Sequence, residues 1–109
     1  KIVHDPLAGT LVAYSLGDFF GDGAMAGANY SVMLDLEITR DNATGKSKIT
    51  GYSYTPIFTV HEQDKPLKVL RIQEAVDAYA GNYQYKVSPE THSQMLYALE
   101  RIKARVAGE

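Results

Sequence analysis

The chain contains no cysteine, which excludes disulfides, thiolate metal sites and a cysteine nucleophile together. It has no apolar run approaching the roughly 20 residues needed to cross a bilayer as a helix. Cations are few and dispersed, with 11 Lys and Arg against 13 Asp and Glu and a formal net charge of -2. The nearest thing to a basic cluster, Lys65, Lys68 and Arg71, is too small for a nucleic-acid footprint. Internal repeats and low-complexity stretches are also missing.

What is present suits one folded unit. At 109 residues, 45% hydrophobic and 22% charged, the composition is that of a globular domain. A chain of this length buries roughly two thirds of its unfolded surface. The strand-like opening, Lys1 to His4, leads us to expect a partial domain continued upstream. Its expected parts are a β-rich portion over 1–60, a connector with a short helix over 61–87, and a terminal helix over 88–107.

Ile2–His4 and Thr10–Leu16 read as two extended runs joined by Asp5-Pro6-Leu7-Ala8-Gly9, a hairpin. Tyr30–Arg40 alternates cleanly, with Tyr30, Val32, Leu34, Leu36 and Ile38 on one face. After the turn Asp41-Asn42-Ala43-Thr44-Gly45, Ser47–Val60 resumes extended structure, with Tyr52, Tyr54, Phe58 and Val60 on one side. These two long strands should pair antiparallel. Pro56 removes a ladder donor, so the second is expected to lie at an edge, or to be bulged or broken near that residue. Leu67–Ile72 reads as a short strand and Gln73–Ala80 as a helix stopped at Gly81-Asn82. Ser88-Pro89-Glu90 starts a second helix that runs to Ala107. Its apolar side is expected to hold Met95, Leu96, Leu99, Ile102 and Val106. Strands first and helices after predicts an α+β fold, a layered α/β arrangement.

Chemistry-bearing residues concentrate in the glycine loop that follows LVAYSL, with Ser15, Gly17, Asp18 and Asp22. His4, His61 and His92 share neither HxH nor i, i+4 spacing, so no complete metal site is expected within the chain. Ser15 is not in a GxSxG elbow. Asp18 and Asp22 suggest a cation loop but lack EF-hand spacing, and no Walker or dinucleotide glycine pattern is present. Phe19 and Phe20 read as core plugs. Tyr79, Tyr83 and Tyr85, with Asn82 and Gln84, would suit either stacking on a sugar or partner, or the rim of a core. Asn29-Tyr30-Ser31 and Asn42-Ala43-Thr44 match the glycosylation sequon by chance.

The segment Gly9 to Phe20, GTLVAYSLGDFF, resembles the bacterial capsule and poly-γ-glutamate synthesis family of calcineurin-like metallophosphoesterases. That family carries a hydrophobic strand followed by Tyr-Ser-Leu-Gly-Asn-Phe. Tyr14, Ser15, Leu16, Gly17 and Phe19 match, and Asp18 departs from the usual Asn. The likeness extends through the alternating strand and the Tyr54-Thr55-Pro56 strand end, covering approximately Ile2 to Phe58. It implies the C-terminal part of a calcineurin-like sandwich, antiparallel strands followed by helices, that is not catalytic alone. The family's Asp, Asn and His metal ligands precede this motif, so a divalent metal is implied for the parent and no cofactor for this chain. Ser15, Gly17 and Asp18 would then touch substrate or support a metal ligand, Asp18 opposing a phosphate but helping to hold a metal. The implied partner is the N-terminal part of the same domain, with a homodimer or swapped assembly when that part is missing. The implied location is the bacterial cell envelope or its outer face. Two other readings remain: a β-rich module binding carbohydrate or protein, and a small cation binder using Asp18 and Asp22.

Overall fold

The two tight turns use one device twice. In the first, the Asp5 carboxylate accepts the amides of Leu7 and Ala8 at 3.1 Å each, and Gly9 donates its amide to the Asp5 carbonyl at 2.8 Å. In the second, the Asp41 carboxylate accepts the Ala43 amide at 2.9 Å and Gly45 donates to the Asp41 carbonyl at 2.7 Å. Gly9 and Gly45 sit at φ of 71° and 72°, the left-handed region where a side chain is disfavoured. The computed structural model describes residues 1–16, 29–60, 66–81 and 87–108.

The first turn joins β1 (Ile2–Asp5) to β2 (Thr10–Ala13) in an antiparallel pair with Val3 opposite Val12. The second joins β3 (Tyr30–Arg40) to β4 (Ser47–Val60), also antiparallel, with Tyr30 opposite Phe58 and Leu34 opposite Tyr54. β5 (Lys68–Arg71) completes a three-stranded sheet of order β3-β4-β5 by pairing antiparallel with Ile57–Val60. Helices α1 (Ile72–Ala80) and α2 (Pro89–Ala107) follow. The class is mixed α+β, with two antiparallel sheets and two helices among the described residues.

Pro56 behaves differently from the expectation. β4 is the central strand of its sheet, unbroken at Pro56, and its bulge lies elsewhere, between Glu37 and Ile38 of the β3 register. Val32, opposite Pro56, donates its amide away from β4 to the Leu16 carbonyl at 3.4 Å, so this pair is not a hydrogen-bonded one. The donor that Pro56 lacks would therefore point to the β5 side. There the register puts position 72 opposite, where the chain leaves the sheet as α1. Proline is tolerated because the ladder ends at that residue.

The bulge follows from Thr50, which is skipped in the register as Glu37 pairs with Gly51 and Ile38 with Ile49. The Thr50 hydroxyl donates to the Glu37 carboxylate at 3.1 Å. The extra residue restores Ile49 to the Ile38 face.

The helices cover the sheet face that carries Tyr30, Val32, Tyr54, Phe58, Val60 and Leu70. Ile72, Met95 and Ala98 are fully enclosed in this core. Leu96 is not part of the buried stripe: it is 41% exposed, and Ala98 holds the inward position instead, because 95, 98/99, 102 and 106 follow the 3.6-residue period more closely. α2 begins as expected, with Ser88 Oγ accepting the Thr91 amide at 3.1 Å and Pro89 in the first turn, and it ends at Gly108 with φ 85°. No helix among the described residues is long and apolar enough to cross a membrane.

Candidate functional site

β2 stops at Ala13 instead of running to Leu16, because Ser15 has φ 63°, the one non-glycine in the left-handed region among the described residues. A left-handed non-glycine residue costs roughly 1–2 kcal/mol and is held only by its surroundings. Here the Ser15 amide donates to the Ala13 carbonyl at 3.2 Å, and the next residue, Leu16, accepts from Val32 on the β3 edge. The turn thus pins the end of β2 to β3. Gly17 and Asp18, together with Phe19, Phe20 and Asp22, lie outside the described residues.

Ser15 opens onto a groove of about 800 Å³ bounded by β1–β2, the β3 edge and one side of α2. The α2 side is a ridge at i, i+4 spacing: Ser93, Tyr97, Arg101 and Arg105, with Gln94 beside it. Lys1 adds a third cation, its side chain lying against the helix stop at Gly108. No Asp or Glu lines the groove among the described residues. The floor is apolar, formed by Ile2, Val32, Phe58, Ile102 and Val106. Arg101 and Arg105 are like charges one turn apart, an arrangement that costs a helix about 0.2–0.5 kcal/mol when nothing neutralises it. The backbone of Ser31 passes the groove, but its side chain lies on the opposite face of the sheet from Val32 and Phe58, is 4% exposed, and has no hydrogen-bond partner among the described residues. An unpaired buried hydroxyl costs about 1–3 kcal/mol.

The other candidate residues serve the fold. The His4 ring N–H (Nε2) donates to the Ile49 carbonyl at 2.7 Å, and the ring meets Tyr52 edge-on at 5.9 Å. Both contacts fasten the β1–β2 hairpin to β4, as does the Ile49 amide donating to the Gly9 carbonyl at 3.0 Å. His92 stacks on Tyr79 with centroids 3.9 Å apart and planes 15° from parallel, joining α2 to α1. Tyr79 is therefore half-buried against a neighbour. Asn82, Tyr83, Gln84, Tyr85 and His61 lie outside the described residues. The Asn29 carbonyl accepts the Thr59 amide at 2.7 Å, and Asn42 lies within the β3–β4 turn. No group of three or more His, Asp or Glu gathers among the described residues.

The sequence reading missed the groove. Arg101 and Arg105 fall outside the apolar side of α2, and their i, i+4 spacing alone does not mark them as lining a groove. Comparison with known proteins adds nothing to this geometry, since no family model, curated protein or solved structure matches the chain.

Proposed function

We propose that this chain is the C-terminal part of a capsule or poly-γ-glutamate biosynthesis protein of metallophosphoesterase type. In this reading the chain completes a calcineurin-like sandwich at the bacterial cell envelope without being catalytic itself. Divalent metal ligands come from preceding polypeptide, and Ser15, Gly17 and Asp18 contribute at the edge of that site. The motif Tyr14 to Phe19 is the sequence support.

The structural support is the outer face of the β1–β2 hairpin. Val3 and Val12 pair across it and Tyr14 continues the row, with 42%, 49% and 62% of their surface exposed. A two-stranded sheet is marginal alone, and an apolar row on its free face calls for covering strands. The preceding half of a sandwich would supply them.

Reading the coding sequence upstream of Lys1 tests this directly, and a set of Asp, Asn and His residues with a His-rich turn shortly before Lys1 is expected. The full-length protein should then bring divalent metal through purification, measured by elemental analysis. An upstream sequence without such residues, or a metal-free full-length protein that does not take up manganese on addition, would overturn the proposal.

A further inference from the structure

We propose that the groove between α2 and the β3 edge is a binding site for an organic anion, its phosphate or carboxylate head on Arg101 and Arg105 and its apolar body on the groove floor. The inference goes beyond the proposed function and does not rest on it. Ile2 faces the groove, whereas Val3, Val12 and Tyr14 occupy the opposite face of the hairpin, so strands that cover the outer face leave the groove open.

Two features converge. First, Arg101 and Arg105 project one turn apart, about 5–6 Å between Cβ atoms, a spacing at which two guanidinium forks can close on the oxygens of one head group. Neither has an ion-pair partner among the described residues, whereas Arg71, elsewhere on the surface, pairs with Glu74 at 3.5 Å. Second, the walls supply donors without competing anions: Lys1, Ser15, Ser93, Gln94 and Tyr97 line the groove, and no carboxylate does among the described residues.

The floor decides what kind of anion fits. Val32, Phe58, Ile102 and Val106 give a bare inorganic ion nothing to touch beyond the head site. A head group carrying a ring or short alkyl body uses both halves, with Tyr97 available to flank a ring.

The test is a titration of the chain with phenyl phosphate, benzoate and inorganic phosphate, followed by amide chemical shifts. Saturable shifts are expected along α2 from Ser93 to Arg105 and at Ser31 and Val32, with inorganic phosphate binding more weakly than phenyl phosphate. Whether phenyl phosphate or benzoate binds more tightly identifies the head group. Arg101→Gln and Arg105→Gln should each weaken binding about tenfold, as expected for the loss of one charge-assisted contact. Arg101→Lys should lose less, and Arg71→Gln should change nothing. Circular dichroism of each variant separates lost binding from lost folding. The proposal is overturned if neither organic probe binds at millimolar concentration, or if binding survives unchanged in the Arg101→Gln, Arg105→Gln double variant.

Discussion

Met95→Ala measures how tightly α2 is seated on the sheet, and with it whether the groove has a rigid wall. Met95 is 0% exposed, in the same enclosed cluster as Phe58, Ile72 and Ile102. Truncation removes three heavy atoms beyond Cβ, and at about 0.8 kcal/mol per methylene-sized group the transfer loss alone is about 2.4 kcal/mol. A residual cavity adds to this, for a total of about 3–4 kcal/mol, inside the 2–5 kcal/mol seen for buried Met, Leu or Ile. The neighbouring Leu96, 41% exposed on the same helix, is the internal control, and Leu96→Ala should cost below about 1 kcal/mol. Urea unfolding followed by far-ultraviolet circular dichroism resolves the two, with the midpoint falling and the slope unchanged in Met95→Ala. In a domain of ordinary stability, about 5–15 kcal/mol, this is a large fraction of the whole. Equal costs for the two variants would mean that α2 does not present Met95 to the sheet, and the groove built against that helix would fall with it.

Gly9→Ala should destabilise by more than about 1 kcal/mol in the same assay, because a Cβ there would stand 2.6 Å from the Lys48 Cβ and the backbone has φ 71°. Ser88→Ala, which deletes the cap on the Thr91 amide, should cost about 1 kcal/mol of stability. Ser31→Ala should be neutral or stabilising in urea, since it removes a hydroxyl that has no partner among the described residues, and it should leave phenyl phosphate binding unchanged because that side chain lies on the far face of the sheet. A clear loss of stability in Ser31→Ala would show that the hydroxyl is satisfied within the protein.

Much of the local structure was legible because it rests on short-range chemistry. Asp5 to Gly9 and Asp41 to Gly45 turn through contacts made within five residues, and the Ser88-Pro89-Glu90 start and Gly108 stop of α2 are equally local. The alternation from Tyr30 to Ile38 announced one strand with a single apolar face, and its partner followed from the intervening turn. Pro56 was harder, since its tolerance depends on where β5 ends, a fact about a strand twelve residues further on. Leu96 was misplaced because hydrophobicity alone does not separate it from inward Met95, a hundred degrees round the helix, whereas the less hydrophobic Ala98 takes an inward position. The candidate site was legible only in part. Ser15 could be singled out by its place after an apolar strand, but not its left-handed backbone or its bond-sharing neighbour Leu16.

By itself the order of residues determined the turns, caps and alternating faces, and hence an α+β class, because each depends on atoms a few bonds apart along the chain. Tertiary structure alone decided that Arg101 and Arg105 of the last helix would stand over the edge of β3 beside Ser15 and Ser31. Those groups are as many as ninety residues apart, and only the burial of Met95 and Phe58 in one core brings them to the same groove.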